Sequence, residues 1–485
     1  MKMRTMMAVV MAMTCVMIAR ADEPAFKVDT ITTPEGVSAE VGGLDITPSG
    51  KVAICLHDGQ VWMYDPASGQ WTQFAEGLHD PLGLYAKADD ELVIMQRPEL
   101  TRLRDTDHDG AADVFETITD DFGMTGNYHE FAFGPAVDKD GNYFISLNCA
   151  SSGAGVRYEK RGEFHPDWHD GRMYSCVPWR GWVLKVSPDG AITPWAYGFR
   201  SPDGIGFDSA GHLFITDNQG DWLGSSKLFL VKRGAFHGHP ASLVWSEDFT
   251  GKPLDRSAEE LDAMRRRATV IFPHGTMANS PTQMLEIPAK FGIFGGQLLV
   301  GEMNTARLLR VMLDEVDGQT QGACVVLLDN GGLAKGDHRF AFDADGALWI
   351  GMTTRGYWVG DNGLKRVKFT GNTPLDVQAM KLTRDGFKLT FTKPLDEKTA
   401  TAEHFTFECY RYAYHEKYGS PQMDKQTVTV KKLTLSDDHR TAMVTLDPMK
   451  AGFVYELQLK DVRGASGEAV MNQIVCYTLN KLRSE

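Results

Sequence analysis

The stretch FDSAGHLFITD (207–217) decides the fold, because its grammar returns along the chain: an apolar entry, a turn of Asp, Ser or Ala type ending in Gly, then an apolar or alternating strand. LDITPSGKVAICL (44–56), VDKDGNYFISL (137–147) and FDADGALWIGM (342–352) repeat it, and YAKADDELVIMQ (85–96) and IFGGQLLVGE (293–302) are weaker copies. With Gly50, Glu91, Gly141, Gly211, Gln297 and Gly346 as markers, the steps are 41, 50, 70, 86 and 49 residues. A four-stranded propeller blade needs roughly 40 to 50 residues. The two long steps hold insertions, at about 149–180 and 237–275. The turn Gly accepts positive φ, and the strand after it buries one face against the next blade. Six markers predict a six-bladed β-propeller, with a short helix over 258–267.

Beyond residue 370 the glycine turns stop. FKLTFT (387–392), TVTVKKL (427–433), AMVTLD (442–447) and VYELQLKD (454–461) alternate apolar and polar residues. Short strands without helices predict an immunoglobulin-like β-sandwich with a core of its own. The expected organisation is all-β: a propeller over 22–371, a linker at 371–374 and a sandwich over 375–485.

Before the propeller, Lys2 and Arg4 precede an apolar run over 6–19 and the small-x-small sequence Ala19-Arg20-Ala21. That is the pattern of a cleaved signal peptide over 1–21, so the chain reads as secreted or periplasmic. No later run approaches the ~18 apolar residues of a membrane span. The formal charge of −14, with no cluster of Lys or Arg, disfavours nucleic acid as a partner. Six cysteines follow the leader, and none forms a CxxC or CxxCH pair. Cys149 with Cys176, and Cys409 with Cys476, are open either as disulfides or as buried thiols.

Two constellations carry chemistry. In DTDHDGAADVFE (105–116), Asp105, Asp107, Asp109, Asp113 and Glu116 take positions 1, 3, 5, 9 and 12 of a twelve-residue calcium loop, with Gly110 at position 6 and the Ala111 carbonyl as a further ligand. The flanks read as strands, which places the loop on a hairpin. The second constellation lies on strand ends, where a propeller gathers its loops around the channel. His129, Arg200, Asp217, Asn218, Gln219, His237, His239 and Arg355 all stand at such ends. A His among Arg residues suits a base beside an anion.

The phrases GFRSPDGIGF (198–207), FGIFGGQLLVGE (291–302), RLLRVMLDEVDGQTQGA (307–323), DGALWIGMTTRGYW (345–358) and GLKRVKFTGNTPLDVQAMKLTRDGFKLTFTKPLD (363–396) resemble the secreted propeller proteins of planctomycete-type bacteria, within the glucose/sorbosone dehydrogenase-like group. YGSPQMD (418–424) and CYTLN (476–480) resemble the C-terminal domain that often follows. The resemblance implies an oxidoreductase in which the quinone cofactor PQQ lies at the channel mouth, held by arginines, a lysine and calcium, with a histidine as base. By motif His129 matches that base and Arg200 the arginine before the blade turn, although Ser201 replaces the usual asparagine. Asn218 and Gln219 match the stretch whose carbonyls hold the calcium. Arg339 matches one of a late arginine pair, the other falling near Asp337; Arg355 is a further anion-holding candidate. The expected lysine falls near Asn304, with Arg307 and Arg310 as the nearest cations. The implied substrate is a sugar or related alcohol, and the electrons would leave to a separate acceptor. Two other readings stand beside it: a non-catalytic propeller binding glycans or protein, and a metal-dependent hydrolase or lactonase using Glu302, Asp217 and Asn218.

Overall fold

The computed structural model describes residues 24–155, 159–354 and 360–484; the expected leader and Arg355 lie outside the described residues. Every marker falls where a first strand turns into a second. The first strands are Val41–Ile46, Gly83–Ala86, Ala132–Val137, Pro202–Phe207, Pro281–Glu286 and Asp337–Phe342. Each packs on the next, and the last packs on the first, so the strands close a ring around a channel. The turns are built alike. In the third, fourth and sixth sets the amides of Gly141, Gly211 and Gly346 donate to the carbonyls of Asp138, Asp208 and Asp343 at 2.9 to 3.0 Å. Those aspartates then accept from backbone amides further round the turn, Asn142, His212 and Ala347. The ring is tight because backbones meet: a Cβ on Gly83 would lie 1.5 Å from the Gly134 carbonyl oxygen.

Five sets stand as separate four-stranded antiparallel sheets. The sixth set of the ring closes with the N-terminal strand, Phe26–Ile31, which pairs with Gly363–Phe369 from Phe26 opposite Phe369 to Ile31 opposite Leu364. The fifth set, which starts at Pro281, is different. Its outer strand Gln319–Asp329 pairs over 322–325 with Ile474–Leu479, and the sheet runs on to eleven strands. The C-terminal strands fold into two layers joined by the long strand Met423–Leu435. Phe387 of one layer stacks on Phe407 of the other at 5.9 Å.

The core of this unit is not sealed off from the propeller. Met312, Val316, Ala323 and Val325 of the fifth blade belong to the same buried cluster as Phe387, Phe407, Tyr455 and Tyr477. Local alternation marks a buried face without saying which chain segment covers it. The insertions carry the short helix, Ala258–Met264, capped by Ser257 with Glu260 closing a capping box. All six cysteines that follow residue 21 are buried and free. Cys476 stands opposite Cys324 rather than Cys409. No helix among the described residues is long and apolar enough to cross a membrane.

Candidate functional site at the channel mouth

First strands begin, and second strands end, at one face of the ring. There a cavity of about 430 Å³ gathers His129 from the third blade with Arg200, Asn218 and Gln219 from the fourth. His129 is half-buried, and its Nδ1 lies 2.9 Å from the Cys149 carbonyl oxygen. A carbonyl only accepts, so the neutral imidazole keeps its proton on Nδ1 and presents its lone pair at Nε2. Asn127 holds the loop, its Oδ1 accepting from the His129 amide at 3.0 Å and the Ser151 amide at 3.2 Å.

Arg200 is positioned twice. Its amide and that of Ser201 donate to the Asp217 carboxylate at 2.8 Å, and its Nε donates to Asp221 Oδ1 at 3.0 Å. Asp221 Oδ2 also meets His239 Nε2 at 3.2 Å. Burial raises the Asp221 pKa, but His239 and Arg200 outweigh it and hold the carboxyl well below its usual range.

Three asparagines of the lining share an unusual state. Asn148 and Asn218 directly follow second strands, Asn304 follows one residue later, and each amide oxygen is buried without a hydrogen-bond partner. The amide nitrogens of the first two donate to Ser201 Oγ at 2.9 Å and Ser280 Oγ at 3.0 Å. Buried polar atoms are nearly always paired, so three orphaned acceptors in one cavity mark a place where a donor belongs.

Sequence reasoning missed Arg172, His274 and Tyr418. Tyr418 comes from the C-terminal unit, is 54 % exposed, and its ring lies 4.8 Å from the Arg172 guanidinium and 5.4 Å from that of Arg200. Its backbone bridges to Asp221. Arg172 lies in the insertion after the second strand of the third blade, where no repeat pattern gives it a place.

Arg339 is not brought to the mouth. It is buried in the channel wall, donating to the carbonyls of Gly42, Leu82 and His338 and to Asp203 at 2.8 to 3.3 Å. Asp203, the one carboxylate among the described lining residues, is thereby neutralised; burial raises it, and Arg339 and His338 bring it far below the usual range. Near the expected second arginine stands Asp337, fully buried, with neither carboxyl oxygen partnered. Burial and the neighbouring Glu302 push it well above the usual range. Arg307 pairs with Asp329 at 3.0 Å and Arg310 with Asp376 at 2.9 Å, so neither replaces the lysine. The hydrolase acids are also committed: Glu302 accepts from the amides of Asn279, Ser280 and Asn304, as Asp217 does from Arg200 and Ser201.

On the hairpin of the second blade, Asp105, Asp107 and Asp109 bring one carboxylate oxygen each within 4.8 Å of one another. Asp113 is turned to Thr106, accepting from its amide at 3.0 Å and its hydroxyl at 2.6 Å. Glu116 is drawn to Arg102 at 3.1 Å and Arg104 at 3.5 Å. Of the expected carboxylate ligands, three converge here, and Asp113 and Glu116 are engaged by Thr106 and by Arg102 and Arg104.

Residues 28–246 match a family model described as a domain of unknown function, DUF7133. Among curated proteins none matches the chain. Solved structures share its propeller fold. A Thermus thermophilus protein assigned as an oxidoreductase (glucose dehydrogenase) is 18 % identical over 70 % of this chain and 99 % of its own, with a TM-score of 0.51. The PQQ domain of a pyranose dehydrogenase from Coprinopsis cinerea, in its holo form, is 12 % identical over 71 % of this chain and 96 % of its own, with a TM-score of 0.50. The PQQ-bound aldose sugar dehydrogenase of Streptomyces coelicolor is 16 % identical over 71 % and 99 %, at 0.46. For the first two, at these identities, the likeness is one of fold.

Proposed function

We propose that the channel mouth binds a small carbohydrate or related alcohol through its hydroxyl groups. The carrying observation is the trio of orphaned amide oxygens on Asn148, Asn218 and Asn304 in one cavity. A buried acceptor needs a donor, and a bound hydroxyl supplies one in place of water. The exposed Tyr418 ring adds a flat apolar face against which the C–H face of a pyranose can lie. The pattern of the leader, basic at Lys2 and Arg4 and apolar over 6–19, supports export of this protein.

PQQ does not match this lining. It carries three carboxylates and presents mostly acceptors, whereas the described lining residues offer two guanidiniums, Arg172 and Arg200, no lysine, a carboxylate and three orphaned acceptors. No step is routed through it. A second reading nevertheless adds catalysis: oxidation of the bound hydroxyl in a dehydrogenase, its proton going to His129 and its hydride to a separate acceptor of quinone type. It is favoured by His129, whose Nδ1 contact with Cys149 leaves Nε2 as the atom that would take the hydroxyl proton.

One experiment separates these. Calorimetric titration with a panel of aldoses and alditols should show saturable binding, weakened roughly tenfold by Asn218→Ala, about 1.4 kcal/mol. No binding across the panel overturns the proposal. Reduction of an added quinone acceptor in the presence of a bound sugar, abolished by His129→Ala, would establish the second reading; binding without reduction leaves a carbohydrate-binding propeller.

A further inference from the structure

We propose that Asp105, Asp107 and Asp109 hold a calcium ion that fastens the hairpin of the second blade to the first blade. Their carboxylate oxygens converge within 4.8 Å, which unscreened would be mutual repulsion among three anions. An independent observation points the same way. Asp105 is only 6 % exposed, its Oδ2 accepts from the Gly110 amide at 2.9 Å, and its Oδ1 is buried with no partner at all. A carboxylate oxygen removed from water and left without a donor fits a directly bound cation.

The donors are all oxygen, which suits a hard ion and not zinc or copper. Calcium tolerates irregular sets of six to eight ligands, whereas magnesium needs a near-octahedral shell. The hairpin lies on the neighbouring blade: the Ala112 amide donates to the Phe74 carbonyl at 2.7 Å, and a Cβ on Gly110 would meet Thr72 Cγ2 at 3.6 Å. Gly110 itself has a φ of 97°, which makes the turn inside the cluster. An ion here fixes the tip of one blade where it touches the next, 105–112 against 72–74. The site shares no residue with the mouth and is independent of what binds there.

The full-length protein, stripped with EDTA and titrated with calcium chloride by calorimetry, should take up one ion through this loop and melt at a higher temperature when loaded. Magnesium chloride should bind at least tenfold more weakly. Asp107→Asn and Asp109→Asn change exposed side chains and leave the fold intact; each should lower calcium affinity tenfold or more. Glu116→Gln should change it less than threefold, because Glu116 faces Arg102 and Arg104. Unchanged uptake in the Asp107→Asn/Asp109→Asn double variant, or no saturable uptake by the parent protein, overturns the proposal. A loss in Glu116→Gln as large as in Asp109→Asn overturns the three-carboxylate geometry.

Discussion

The second blade and the fifth are built from the same four-stranded pattern, yet their outer strands meet different fates. Val114–Thr119 of the second blade shows three exposed residues in its middle. Gln319–Asp329 of the fifth is buried over 321–325, because Ile474–Leu479 continues its sheet. An open edge offers unpaired amides and carbonyls to any strand that can reach it. The fifth blade instead gives its edge to the C-terminal unit and shares a core with it. The same unit delivers Tyr418 to the channel mouth. It is at once a buttress for one blade and part of the candidate site, so its removal should be felt in both.

The largest effect expected is that of ending the chain at residue 371. This uncovers Met312, Val316, Ala323 and Val325 and leaves 322–325 as a bare edge. The truncated protein should aggregate on expression, read as loss of soluble yield and of a monomer peak. A soluble, cooperatively unfolding truncation would break the comparison and make 375–485 a separate domain.

Next comes the seam's ion pair. Arg310 of the fifth blade and Asp376 of the C-terminal unit meet at 2.9 Å, neither side chain exposed, and Arg310 also donates to the Val377 carbonyl. Arg310→Met strands a buried carboxylate and should cost about 3–5 kcal/mol in urea denaturation. On the second blade Lys87→Met, which removes a solvent-exposed pair with Glu91, should cost about 0.5 kcal/mol or less. Equal costs would show that the seam is no more tightly held than a free blade.

A pH dependence sharpens the same seam. Lys227, on the fourth blade, lines a small cavity against Tyr412, Tyr414 and Thr478 of the C-terminal unit and donates to the Ser225 carbonyl at 2.7 Å. Burial, aided by the nearby Arg265, pushes its pKa down to about 7. The unfolded chain keeps that proton up to about 10.4, so between these values the unfolded state binds more protons and stability rises with pH. The rise from this group should be roughly 3 to 4 kcal/mol. Lys227→Met should flatten it in denaturation series run from pH 7 to 10; an unchanged slope would refute the assignment.

The smallest effect belongs to the arm at the mouth. Tyr418→Ala removes an exposed ring and should leave stability within about 0.5 kcal/mol. If a sugar stacks there, its affinity should fall about fivefold by calorimetry, near 1 kcal/mol.

How much of this was legible depended on whether the signal was local. The Gly turns were, because an Asp-initiated turn and the strand after it are written within ten residues, as at 208–217. His129, Arg200, Asn218 and Gln219 share one cavity because strand ends converge wherever the ring closes. Arg339 misled because a strand-end position does not say which way a side chain runs, and here three backbone carbonyls and Asp203 claim it. Arg172 and Tyr418 lay outside the repeat, one in an insertion and one beyond the propeller, and only their approach in space links them. Glu116 fitted a spacing, but the strand Val114–Thr119 aims it along the sheet toward Arg102 and Arg104.

The closing strand Phe26–Ile31 has a practical consequence. It is the outermost strand of its blade, three strands removed from the channel. A tag or tether joined ahead of residue 24 therefore leaves from the rim. A molecule anchored that way to a bead or a sensor chip keeps its mouth clear for solutes.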